Sequence, residues 1–155
     1  MKPILATMVY CLDEGRVLLM HRNKEPNKGL WIGPGGKIDP GESPYDCARR
    51  ELLEETGLAA HTLHFRGLIT EVSPLPEWQW LMFLFVTDDF SGELMGDDRE
   101  GRFQWWPIPE ALQLPIPQAD RIFFPRVIDL SQPLYQAKFV YDNLLKVTGV
   151  FDQSI

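Results

Sequence analysis

The sequence predicts an α/β fold in which one sheet is covered on both faces by helices. Two observations carry this. Strand-like runs rich in aromatic and β-branched residues fill most of the chain, and two helical segments are interleaved with them. The composition is globular, with 45% apolar and 24% charged residues. A chain of 155 residues is long enough for one domain with a proper core, so residues 1–155 are expected to form a single unit.

Residues 4–12 (ILATMVYCL) and 16–22 (RVLLMHR) read as two strands around the turn signal DEG. A loop dense in glycine and proline follows, NKGLWIGPGGKIDPGES. A helix is expected at about 44–56: Ser43 is a good N-cap, Pro44 suits the first helical position, Asp46 stands where a capping box has its acid, and Gly57 supplies the stop. Residues 65–72 and 78–88 read as buried strands, and 102–107 (RFQWWP) as another. A second helix is expected at about 119–130, kinked or shortened by Pro125. The tail, 137–152, reads as a terminal hairpin.

The net charge of −7 argues against a nucleic-acid polymer or a membrane surface as partner, because both repel an acidic protein. A small anion held through a metal is still allowed. Two cysteines, Cys11 and Cys47, do not make a disulfide framework and suit a reducing compartment. The opening MKPILATMVYCLDEG has no small-residue cleavage site, and no apolar run is long enough to span a bilayer. A cytoplasmic protein is expected.

The segment RRELLEET, residues 49–56, is unusual. In a helix, Glu51, Glu54 and Glu55 share one face, where like charges repel. Glu54 and Glu55 also fall in the last turn, where the helix dipole disfavours negative charge. Arg50 can relieve Glu54, but one arginine does not neutralise three acids. A solvated acidic face is one explanation. A hard divalent cation with oxygen ligands, Mg²⁺ or Mn²⁺, is the other. The preceding GPGGK could bring backbone close to an anion, but it is not a P-loop, since Ile38 follows Lys37 where Ser or Thr is needed.

Together these residues resemble the Nudix box: Gly36, Glu42, Arg50, Glu51, Leu52, Glu54, Glu55, Gly57 and Leu58 fill its defined positions. The resemblance implies an α/β/α sandwich around a mixed β-sheet, and hydrolysis of a nucleoside diphosphate linked to another group. It implies metal ligation by the Gly36 carbonyl and by Glu51, Glu54 and Glu55. Glu42 would pair with Arg50. A metal-activated water would attack phosphorus, with Glu51 as first choice of general base and a distal glutamate as the alternative.

A looser resemblance, through ATMVYCL, LLMHRNKEPNKGLWIGPGGK, FQWWPIPEALQLP and AKFVYD, extends to the Nudix branch that hydrolyses oxidised purine nucleoside triphosphates. It implies that Thr7, Arg22 and Lys37 contact nucleotide or phosphate, that Glu100 completes the metal site, and that Asp120 reads the base. Each position has a plain alternative: a strand residue at Thr7, a surface charge at Arg22, part of an acidic loop with Asp97 and Asp98 at Glu100, and a helix cap at Asp120. Trp105 and Trp106 occupy opposite faces of a strand, so one is expected in the core and one, taken as Trp105, at the base. Ile32 stands where some members of this branch carry a base-reading asparagine, and offers only apolar contact.

The expected activity is Mg²⁺-dependent conversion of a nucleoside triphosphate, such as 8-oxo-dGTP, to monophosphate and pyrophosphate, by a monomer or homodimer. Hydrolysis of ADP-ribose, a nucleotide sugar or a dinucleotide is the nearest alternative. A non-catalytic nucleotide-sensing domain is the third.

Overall fold

A computed structural model of the protein describes residues 2–95 and 99–155, so Asp97 and Asp98 lie outside the described residues. Strands β1 (Ile4–Asp13) and β2 (Arg16–Arg22) form the expected hairpin. Its turn residues Glu14 and Gly15 both have positive φ, 49° and 78°, as a two-residue turn that follows the strand twist requires. Next come β3 (Trp31–Ile32), β4 (Gly35–Lys37), α1 (Pro44–Thr56), β5 (Ala59–Ala60), β6 (His64–Val72), β7 (Trp80–Thr87) and β8 (Phe90–Ser91). The chain then forms β9 (Gly101–Pro107), α2 (Ile108–Ala111), α3 (Gln118–Ile128), β10 (Tyr135–Tyr141) and β11 (Val147–Asp152). Helix α2 and strands β3, β4, β5 and β8 are not among the elements expected from the sequence. These have two to four residues each, too few for a hydrophobic period to show.

The main sheet is mixed, in the order β11-β10-β6-β7-β1-β2-β3, with β4 on β1 and β9 on β2. The β1–β7 and β10–β6 pairs are parallel, and the others are antiparallel. Alternation along the strands divides the core in two. Val9, Cys11, Leu18 and Phe85 pack with Ala48 and Leu52 of α1 on one face. Met8, Tyr10, Leu19, Ile69 and Leu84 pack with Phe123, Phe124 and Val127 of α3 on the other. Helices therefore cover both faces, the architecture that the sequence predicts.

Helix α1 starts at the expected capping box. The Ser43 hydroxyl accepts from the Asp46 N–H at 3.0 Å, and the Asp46 carboxylate accepts from the Ser43 N–H at 3.1 Å. It ends at Gly57, left-handed with φ 82°. Helix α3 runs through Pro125 and stops three residues later, two residues short of the expected end. Arg66 accounts for the stop: its guanidinium donates to the carbonyls of Val127, Asp129 and Gln132, which no further helical turn satisfies. Among the described residues no helix is long and apolar enough to cross a membrane.

Candidate active site

The buried face of α1 carries Cys47, Ala48, Leu52 and Thr56, which turns Arg50, Glu51, Glu54 and Glu55 away from the core. Arg50 is the centre of this polar face. Its Nε donates to Glu42 Oε2 at 2.6 Å and its Nη2 to Glu42 Oε1 at 2.8 Å, a bidentate pair between loop and helix. Its Nη1 reaches Glu51 at 2.8 Å and Glu54 at 3.2 Å. The same guanidinium holds the Glu42 carboxyl at a pKa of about 2. Arg50 is thus a brace that aligns three acids rather than a group facing open solvent.

Glu55 points back at the loop, where its Oε2 accepts from the Gly35 N–H at 2.8 Å. Burial, with Glu51 and Glu100 nearby, holds its carboxyl well above the ordinary carboxylate range. Burial also raises Glu51. Glu51, Glu54, Glu55 and Glu100 line one cavity of about 310 Å³, with Met20 and Phe103. Lys24 and Arg99 line the same cavity, Arg50 pairs with Glu51 and Glu54, and Arg22 pairs with Glu100. Among the described residues the four acids do not converge into a ready cage, since Arg50 stands between Glu51 and Glu54.

The loop reaches the helix only because it is made of glycine. A Cβ on Gly36 would lie 2.5 Å from the Glu51 carboxyl, and one on Gly35 would lie 2.1 Å from the Thr7 carbonyl oxygen. The two positions separate activity from stability. Gly36→Ala meets a movable side chain and is expected to displace Glu51, lowering kcat with little change in Tm. Gly35→Ala meets backbone and is expected to destabilise by about 1–3 kcal/mol. Thermal melts and steady-state rates on both variants check this, and equal Tm losses would contradict it.

Cys47 lies beneath this loop and was not singled out from the sequence. Its Sγ is 3.3 Å from the Thr7 hydroxyl, and its thiol donates to the carbonyls of Gly36 at 3.6 Å and Lys37 at 3.5 Å. Thr7 is therefore buried, 2% exposed, beneath the loop.

A second, larger cavity of about 690 Å³ opens beside the acids. Thr7, Arg22, Ile32, Lys37, Glu51, Glu100 and Asp120 all line it, so the fold brings these expected residues to one place. Arg22 is tied to Glu100 at 3.6 Å and donates to the Pro26 carbonyl at 2.7 Å. Asp120 is not the α3 cap: Pro117 holds that position, and Asp120 sits buried in the first turn. Trp105 must be corrected. It stacks on Phe90 at 5.9 Å beneath Arg16 and packs on the α1 face, while the Asp120 end of the cavity lies on the α3 face. Trp106 packs edge-on against Trp31 in the core. The cavity's indoles are instead Trp78 and Trp80, and a second acid, Glu71, faces it too. The W-Q-W spacing was the available signal, since residues two apart share a strand face.

A family model described as the NUDIX domain matches residues 2–127. The chain belongs to the Nudix family. It is 36% identical over 139 residues to the oxidized purine nucleoside triphosphate hydrolase of Danio rerio, covering 87% of this chain and 86% of that one. It is 33% identical over 110 residues to the uncharacterized Nudix hydrolase YvcI of Bacillus subtilis, 69% of this chain and 68% of that one. In structure it is similar to the MutT protein from Bacillus halodurans, with TM-score 0.87, 27% identity and 97% of each chain covered. This Nudix enzyme is a hydrolase acting on phosphoric anhydride bonds.

Nudix hydrolases generally use divalent metals such as Mg²⁺. The donor set here fits such an ion: carboxylates of Glu51, Glu54, Glu55 and Glu100, with the Gly36 backbone against Glu51, are hard oxygen donors gathered at one cavity, and burial and their mutual repulsion raise Glu51 and Glu55.

Proposed function

We propose that this Nudix hydrolase converts a nucleoside triphosphate of the oxidised purine type, 8-oxo-dGTP first among them, to the monophosphate and pyrophosphate with Mg²⁺, or Mn²⁺ in its place. One observation carries the reading. A single cavity runs from Gly36 and Glu51 to Asp120, Trp78 and Trp80, so a purine can lie at one end while its phosphates reach the acids. The similarity to the Danio rerio hydrolase supports it. A cytoplasmic monomer or homodimer completes the reading, and the net charge of −7 favours a free nucleotide over a nucleic-acid polymer.

In this reading Glu51, Glu54, Glu55, Glu100 and the Gly36 carbonyl hold the metal. When bound, it would polarise phosphoryl oxygens and lower the pKa of its water. Arg22 and Lys37, on the cavity wall, supply positive charge for the phosphates. Arg50 holds Glu51 through Oε1 at 2.8 Å, which leaves Oε2 to accept the proton of the attacking water. Thr7 sets the loop through Cys47.

Product analysis with Mg²⁺ tests the substrate. The expected products from 8-oxo-dGTP are the monophosphate and pyrophosphate. No turnover of any nucleoside triphosphate, with rapid cleavage of ADP-ribose or a nucleotide sugar, would sink the assignment. Removing divalent ions with a chelator is expected to abolish turnover, and added Mg²⁺ to restore it; turnover that survives chelation would remove the metal role.

A further inference from the structure

Glu71 has no part in the hydrolytic chemistry above, and the sequence did not draw attention to it. It lies in β6 two residues after Ile69, so alternation turns it to the α3 face. Its cross-strand partner is Trp80, which faces the same way. Glu71, Asp120, Trp78 and Trp80 line one end of the large cavity. Asp120 is only 7% exposed, and among the described residues no cation pairs with either acid. The indole Nε1 of Trp78 and of Trp80 is buried without a hydrogen-bond partner. Buried polar atoms are normally paired, so this wall is short of partners.

We propose that Glu71 is a specificity-determining residue, whose carboxylate, beside Asp120 on the cavity wall, reads the amino-oxo edge of a guanine-type base. The inference rests on the nucleotide reading. Two acids that neighbour each other on a poorly solvated wall disfavour double ionisation. Burial and the charge of Glu71 hold the Asp120 carboxyl well above its ordinary range, and burial pushes Glu71 up to about 7. Tyr141 on β10 neighbours Glu71 and favours its charge, while Tyr10 on β1 lies near Asp120. The proton therefore sits on Asp120 and the charge on Glu71. Glu71 can then accept from the ring N–H and the exocyclic amino group, and Asp120 can donate to the ring carbonyl. An adenine-type edge offers the carboxylate an amino group beside a bare ring nitrogen, which is a poorer match. Trp78 and Trp80, edge to face at 5.5 Å, form a stacking wall. Ile32 is apolar, so polar readout falls to the acid pair.

Calorimetric binding of dGMP and dIMP without metal tests this, since dIMP lacks only the exocyclic amino group. Wild type is expected to bind dGMP roughly ten- to a hundredfold more tightly, as a charged hydrogen bond is lost with dIMP. Glu71→Gln, which keeps the shape, is expected to bring the two affinities to within about threefold. Equal affinities in wild type, a preference undiminished in Glu71→Gln, or no binding of either nucleotide would overturn the proposal. If Glu71→Gln does not fold, Glu71→Ala, which removes the carboxylate, gives the same readout: a reduced preference supports the proposal and an unchanged one overturns it. Binding is read without turnover, so loss of triphosphate hydrolysis would sink the proposed activity while leaving this ratio to be judged by itself.

Discussion

Glu54→Gln is expected to lower kcat by roughly 10²–10⁴-fold while the protein stays folded. Glutamine keeps the length and hydrogen-bonding capacity of the side chain and removes only its charge. The Glu54 side chain is 59% exposed, and its ion-pair partner, Arg50 at 3.2 Å, retains Glu42 and Glu51. An exposed pair of this kind contributes little to stability. Glu54 also lies in the last turn of α1, so removing its charge relieves an unfavourable interaction with the helix dipole. Tm should therefore stay level or rise slightly. Steady-state rates with Mg²⁺ and a thermal melt check both halves. Wild-type activity in this variant would remove Glu54 from the metal site.

Leu52→Ala is expected to do the reverse, costing about 2–5 kcal/mol of stability. Leu52 is fully buried between Val9, Leu18 and Phe85 on the opposite face of the same helix. Deleting its side chain leaves a cavity that the strand residues beneath cannot close without moving the sheet. Because α1 carries the glutamates, the loosened helix should also lower kcat, though less than Glu54→Gln does. Urea denaturation measures the loss; a change below about 1 kcal/mol would show that the site collapses around the smaller residue.

These two variants mark where local pattern ends. Ser43, Asp46 and Gly57 fix both ends of α1 through contacts within a few residues, so its limits could be read directly. The spacing of Glu51, Glu54 and Glu55 along that helix was equally legible, because helical geometry alone gathers them on one face. The β1–β2 hairpin follows from a two-residue turn with a glycine. The short strands β3 and β4 could not be read, because pairing with β2 and β1 rather than their own residues makes them strands.

The sequence by itself therefore determined the acidic end of the candidate site, where we propose the diphosphate lies: the capped helix, the glycine loop and the acids that follow it. Only the tertiary structure decided which residues wall the other end, proposed to take the base. It set Trp105 on the α1 face, away from Asp120, and brought Trp78, Trp80 and Glu71 to the cavity instead. It also put Cys47 beneath the loop, within reach of Thr7, 40 residues away in the chain. The physical reason is distance along the chain. Helix caps and i, i+4 faces are set by neighbours in sequence, whereas the cavity wall joins β6, β7 and α3. Which strand face each side chain occupies depends on a register fixed only when the sheet assembles.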